Sequence, residues 1–228
     1  MRLRIATYNI HRCVGRDGVE APDRIAAVLR QMNPDITALQ EVGYDGASSE
    51  NVLHRLAEAV RAEAIPGPTL LDERGAYGNA ALTRIAPHRV KRLDLSLPGR
   101  EPRGAVALML RVNGSAVRMV ATHLGLRPLE RRYQMRRILG LLDRKAGAVT
   151  ILMGDFNEWL LWGRPLRWVK RRFSAMAAPA TFPSHRPFLA LDRIWVHPGD
   201  RLVSLCPHTA PPASIASDHL PLLAEVEI

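Results

Sequence analysis

The stretch AVALMLRVNGSAVRMVATHL, residues 105–124, constrains the fold more than any other part of the chain. Two runs of apolar side chains flank Asn113-Gly114, the pair best able to take positive φ at both centres of a two-residue type I′ turn. An antiparallel hairpin is therefore predicted. An isolated hairpin is barely stable in water, so the remaining chain must add strands and a cover. LRIATYNI (3–10), DITALQEV (35–42), GNAALTR (78–84), VTILMGDF (149–156), LDRIWVH (191–197) and PLLAEVEI (221–228) read as those strands. PDRIAAVLRQM (22–32) reads as a helix: Pro22 suits its first turn, and Ile25, Val28, Leu29 and Met32 follow at i, i+3, i+4 and i+7.

Two more helices are expected. Residues 49–64 keep the helical period through Val52, Leu53, Leu56, Ala59 and Val60. Residues 129–144 turn Leu129, Ile138, Leu139, Leu141 and Leu142 inward, leaving a dense Arg face. Strands interleaved with helices, with one hairpin among them, predict two mixed sheets covered by helices. A length of 228 residues fits a single domain, residues 1–228, and a monomer is expected. Lys and Arg total 32 against 22 Asp and Glu, a net charge of +10. Such a balance favours polyanionic partners: nucleic acid, or an anionic phospholipid surface touched peripherally. No apolar run reaches about 18 residues, so no transmembrane helix is expected. MRLRIATYNIH lacks an apolar signal core, and Cys13 and Cys206 read as free thiols; a cytoplasmic location is expected.

The strand ends carry the chemistry. LRIATYN ends on Asn9, DITALQE on Glu41, RMVATH on His123 and ILMGDFN on Asp155 and Asn157. Asp192 opens LDRIWV, and Asp218 and His219 precede the 221–228 strand. Any one of these has a dull explanation as a turn, cap or buried polar residue. Together they would line one edge of a sandwich and converge on a cleft. Glu41, Asp155 and Asp218 are hard oxygen donors, suited to Mg²⁺ or Mn²⁺, and no His/Cys set suggests Zn²⁺. Histidines beside such a metal can donate to phosphate oxygens as charge builds. The composite is predicted to hydrolyse a phosphate ester with metal assistance.

TYN, LQE (39–41), GNAALTR (78–84), THL (122–124), GDFN (154–157), LDRI (191–194) and SDHLP (217–221) together resemble the endonuclease/exonuclease/phosphatase superfamily. GDFN followed by SDH is the specific part. The resemblance implies an α/β (α+β) four-layer sandwich and a divalent metal, usually Mg²⁺. By resemblance, Glu41 with Asn9 and Asp218 would hold the metal. Asp155 would orient or deprotonate water, with Asn157 its companion. His219 would contact phosphate, Asp192 would fix its tautomer, and His123 would face the phosphate from the other side. Asn79 resembles a further site amide; Arg84 and Arg103 could contact phosphate or serve structure.

One departure stands out. His11, followed by Arg12, occupies the position two after the strand Asn where the repair-type members it resembles carry an acid, which weakens a base-excision reading. The reaction expected is phosphodiester hydrolysis, on nucleic acid first and on phospholipid or another small phosphodiester as the alternative. A non-catalytic binding module is the third possibility. EWLLWGRPLRWVKRRF (158–173) leaves three roles open: a core stripe with solvated Arg, a substrate wall, or a membrane-interface element. A helix starting near Pro165 is expected, and Glu158 is read as a cap.

Overall fold

Asn113 and Gly114 take φ of 48° and 79°, so the chain reverses where the sequence requires. In the computed structural model, which describes residues 1–44, 51–72, 75–142, 149–173 and 177–228, this hairpin lies inside a five-stranded sheet. Its strands are β5 (Arg89–Asp94), β6 (Gly104–Val112), β7 (Ser115–His123), β8 (Val149–Asp155) and β9 (Asp192–His197), in that spatial order. A six-stranded sheet is built from β1 (Arg2–Asn9), β2 (Ile36–Tyr44), β3 (Glu63–Asp72), β4 (Gly75–Thr83), β10 (Leu202–Pro207) and β11 (Leu222–Glu227). Its order is β10-β11-β1-β2-β4-β3. β1 and β2 are parallel, as are β7 and β8; the other neighbours are antiparallel.

The sheets meet over an apolar layer including Leu3, Ile5, Ile36, Leu108, Met119, Ile151 and Val226. Helices α1 (Pro22–Met32), α2 (Val52–Ala59) and α5 (Ala213–Ala216) cover the outer face of the six-stranded sheet. Helices α3 (Pro128–Leu142) and α4 (Arg164–Phe173) cover the outer face of the other. Strand alternation explains the arrangement, since each central strand sends one set of side chains to the inter-sheet layer and the next set to a helical layer. Ile5 faces the other sheet while Ala6 and Tyr8 face α1 and its neighbours. The result is the expected four-layer α/β sandwich.

Three expectations change. The helix foreseen over 49–64 ends at Ala59, and the chain re-extends as β3 from Glu63; residues 49 and 50 lie outside the described residues. Leu129 points to solvent and Leu139 and Leu141 are half-buried; the inward face of α3 carries Glu130, Arg131, Gln134, Met135, Ile138 and Leu142. Residues 143 and 144 of that predicted helix also fall outside the described set. Leu166, Val169 and Phe173 of α4 enter the core, the first of the three roles left open for this segment, but Trp159 and Trp162 precede the helix and stand exposed.

Candidate active site

Register builds the site before any side chain is considered. His123 pairs with Asp155 across β7 and β8, and Asp155 pairs with Asp192 across β8 and β9. Neighbouring strands are about 4.8 Å apart, so the three residues form a row at one end of the five-stranded sheet. In the other sheet Asn9 lies beside Gln40 at the end of β1, one residue from Glu41. β11 runs antiparallel to β1 from Leu222, beside Thr7, so Asp218 and His219 just upstream arrive beyond the Asn9 end. Face-to-face sheets bring the two edges together.

Local backbone sharpens the placement. The β2–β4 register shifts between Leu39 and Val42, and Glu41 sits in that irregularity with φ 57°, a left-handed conformation rare outside Gly. Such bulges re-aim a side chain. Gly154 has φ 146°, and a Cβ there would run into the Thr122 carbonyl oxygen, so only glycine lets β8 lie this close to β7. His11, Arg12 and Cys13 follow Asn9 with φ of 46°, 51° and 61°, a left-handed turn closed by the His11 N–H donating to Asn9 Oδ1 at 3.1 Å.

Asp155 is the hub. Its Oδ2 accepts from Asn9 Nδ2 at 3.1 Å and lies 3.5 Å from His123 Nε2 and 3.8 Å from His219 Nε2. Its Oδ1 accepts the Asn157 N–H at 2.9 Å. The same Asn9 amide donates to Glu41 Oε1 at 2.9 Å, so one NH₂ group serves two carboxylates. Tyr77 is hydrogen-bonded to Glu41, and burial first, then the Glu41 charge, holds its phenol firmly protonated.

The two histidines are driven opposite ways. His219 Nδ1 meets Asp192 Oδ2 at 2.8 Å, and that oxygen also accepts the Thr181 hydroxyl at 2.5 Å. Burial alone would lower the His219 pKa. The Asp192 charge and hydrogen bond, with Asp155 and Asp218 behind them, outweigh it and raise the value to about 10. Nδ1–H therefore faces Asp192 and Nε2–H faces Asp155. His123 is buried and close to the Arg103 guanidinium, which together lower its pKa to about 3 despite Asp155. Its Nε2 faces the Asn157 amide at 3.0 Å and its Nδ1 lies 3.4 Å from Arg103 Nη1; the neutral ring has a single acceptor nitrogen, so it accepts from one of the two.

Other predicted residues are placed as follows. Asn157, at φ 48°, spends its amide nitrogen on the Leu124 carbonyl at 2.9 Å and on His123. Arg103 is buried in a two-point ion pair with Glu101, at 2.9 and 2.8 Å, next to His123. Asn79 is buried and donates to the Gly104 carbonyl at 2.9 Å, joining β4 to β6. Asp218 is partly exposed, accepts from the Ser217 hydroxyl at 3.3 Å and lies 4.0 Å from His11 Nδ1. Arg84 lies at the opposite end of the sheet, because Thr83 pairs with Ile36 at the start of β2. It donates there to the Val60 carbonyl and Asn33, which leaves it a structural role.

Several positioning groups carried no clear signal. Thr181 steadies Asp192, and the Phe182 ring lies 4.8 Å from the His219 ring. Ser217 donates to the Asn9 carbonyl at 2.7 Å and accepts the His219 N–H at 3.3 Å, tying the β11 approach to β1. Ser217 stands inside SDHLP and was within reach of the sequence; Thr181 and Tyr77 sit in segments with no motif. Glu158, read as a cap, accepts the Leu160 N–H at Oε1 (3.3 Å) and is also buried against Arg131, 3.1 Å from its Nε.

Two groupings could hold a metal. Ligand atoms of Asp155, Asp192 and His219 all lie within 4.8 Å of one another. In that set, however, Asp192 Oδ2 and His219 Nδ1 are already spent on each other. Glu41 and Asp155, sharing one neutral amide, leave excess negative charge on hard oxygens, the condition that suits a divalent cation. The donor chemistry fits such an ion at this edge.

Comparison with known proteins gives the family and the fold. The sequence matches the endonuclease/exonuclease/phosphatase family over residues 6–219. It is 30% identical over 255 residues to the uncharacterized protein YbhP of Escherichia coli K12, covering 99% of this chain and 96% of that one. An endonuclease/exonuclease/phosphatase structure from Bacteroides vulgatus superposes with a TM-score of 0.79 at 20% identity, covering 100% and 99% of the two chains. The Bacteroides thetaiotaomicron mannosyl-6-phosphatase Bt3783 superposes at 0.77 with 18% identity, over 99% and 100%. With the fold, the strand-end residues and the sequence match in accord, the chain belongs to the endonuclease/exonuclease/phosphatase family.

Proposed function

We propose that the protein is a Mg²⁺-dependent phosphodiesterase, with Mn²⁺ able to substitute, whose first substrate class is nucleic acid. The observation that carries the reading is Asp155, shared by Asn9 from one side and facing a His219 that Asp192 keeps protonated on the other. Glu41, with Asn9 and Asp218, would hold the metal, which supplies Lewis-acid polarisation of a phosphate oxygen. Asp155 Oδ2 would orient water and accept its proton. His219 Nε2–H lies on the same side and donates to the oxygen where charge develops. Neutral His123, fixed by Asn157 and Arg103, adds a polar wall without drawing Asp155 into an ion pair. The net charge of +10 supports a polyanionic substrate. A second reading, a phospholipid or lipid-derived phosphodiester, is supported by exposed Trp159 and Trp162 just beyond Asn157.

The test is hydrolysis of bis-p-nitrophenyl phosphate with Mg²⁺ and with EDTA, by wild type, Asp155→Ala, Glu41→Ala and His219→Ala. EDTA should abolish turnover, and each substitution should lower kcat about a hundredfold or more. Undiminished hydrolysis by Asp155→Ala or Glu41→Ala on every active substrate would end the proposal. Plasmid DNA, abasic oligonucleotide, RNA and anionic phospholipid assayed side by side then separate the two substrate readings.

A further inference from the structure

Large apolar side chains left in water are ordinary when scattered, but contiguous ones mark contact surfaces. Among the described residues five of the eleven exposed ones lie on two segments that follow neighbouring strands. Leu126 and Leu129, 68% and 73% exposed, lie between β7 and the first turn of α3; Trp159, Leu161 and Trp162, 56%, 55% and 71% exposed, lie between β8 and α4. Those strands end on His123 and Asp155, so both loops leave the active-site edge directly.

One buried arginine binds the loops together. Arg131 donates through Nε to Glu158 Oε2 at 3.1 Å and through Nη1 to the Leu126 carbonyl at 2.5 Å. Asn157 adds a second tie through the Leu124 carbonyl. The apolar side chains are therefore held out by a fixed frame, and burial of the Arg131–Glu158 pair fixes the geometry of this face.

Along the two segments and α4, exposed charge among the described residues has one sign. Among the described residues from 124 to 173 the carboxylates are Glu130, Asp155 and Glu158, and all three are buried. Arg127 beside the leucines, and Arg164, Arg167, Lys170 and Arg171 along α4, are exposed. Aliphatic side chains next to tryptophan and a purely basic surround match the headgroup region of an anionic bilayer. A single-stranded nucleic acid would use the Trp rings for stacking but would gain little from Leu126, Leu129 and Leu161.

We propose that residues 126–129 and 159–162 form a docking surface for an anionic phospholipid bilayer. The Trp and Leu side chains enter the headgroup layer, and the α4 cations contact acidic lipid. Docking by this face sets the Asp155 edge against the membrane. The inference goes beyond the phosphodiesterase reading and does not depend on it.

The test is co-sedimentation of the full chain with phosphatidylcholine vesicles and with vesicles containing phosphatidylglycerol, alongside Trp fluorescence. Wild type should bind the anionic vesicles, with a blue shift from Trp159 and Trp162, and bind the neutral ones much more weakly. Trp159→Ala/Trp162→Ala should lower the affinity about tenfold or more, since binding scales with buried apolar area. Arg164→Gln/Arg167→Gln should lower it about fivefold per charge, the equivalent of about 1 kcal/mol each. Both variants should keep wild-type hydrolysis of bis-p-nitrophenyl phosphate. The proposal is overturned by no vesicle binding at low salt, by binding indifferent to the Trp pair, or by the same fluorescence change appearing with oligo(dT) but not with vesicles. A wild type that binds vesicles but hydrolyses nothing would sink the catalytic reading and leave this one standing.

Discussion

Gly154 and the histidine pair show how single residues set the site. A side chain at position 154 would meet the Thr122 carbonyl, backbone that cannot swing aside, at a φ that L residues avoid. Gly154→Ala should destabilise the fold by about 3 kcal/mol or more, read as a lower urea midpoint, with activity falling as β8 shifts. His219, raised to about 10, contributes stability that is full below the ordinary histidine pKa of 6.5 and is lost as pH rises through 10. His123, lowered to about 3, does the reverse: the unfolded chain binds its proton first, so stability falls as pH drops below 6.5 toward 3. The pair together favours folding most near pH 6.5. Asp192→Asn should flatten the alkaline side of that curve in urea unfolding across pH, and move the alkaline limb of kcat toward neutrality. Asn9, His123, Asp155, Asp192 and His219 were legible because each ends or opens a strand or sits in SDHLP; Glu41, read as the end of its strand, sits instead at the register shift inside β2. Thr181 and Tyr77 were not, because each acts on a partner distant in sequence, and no short motif records that.

At the level of elements, the strands that escaped the sequence are β3, β5 and β10, and each is a sheet edge. Edge strands need only one hydrogen-bonded neighbour and one partly covered face, so their pattern decays. β3 even carries Pro66 and Pro68, tolerated where no second strand asks for the missing N–H. The central strands, buried on both faces, read clearly. α3 misled for another reason: its inward face accommodates Arg131 and Gln134 because Glu158 and the loop carbonyls satisfy them, whereas periodicity assigns such residues to solvent. Breaking the Arg131–Glu158 pair from one side leaves a buried charge unmatched, so Glu158→Ala should cost about 3–5 kcal/mol. Arg131→Met/Glu158→Leu should recover most of that in equilibrium unfolding. A double variant no better than the single would mean that the pair is not what joins α3 to the loop before α4.

Across the whole molecule, charge and topology act together. If the excess of basic residues gathers substrate, turnover of a polyanion should fall steeply with salt, because screening contracts from about 10 Å at 0.1 M to about 3 Å at 1 M. Bis-p-nitrophenyl phosphate, with a single charge, should respond far less; equal salt sensitivity for both would argue that the field plays no part. Two sheets covered by helices were visible early in the mix of strands, helices and one hairpin, and the family resemblance implied the four layers, but the convergence of two sheet edges required the register. β11 lies between β10 and β1, well inside the six-stranded sheet, although it is the last strand in sequence. A ribosome that has delivered Asn9, Glu41, His123 and Asp155 has therefore made a nascent chain whose β1 still has one open edge and whose His219 does not yet exist. A chain cut between Asp155 and His219 would lack at least half of the His219–Asp192 pair and would leave one edge of β1 open, an unpaired strand for quality control to recognise.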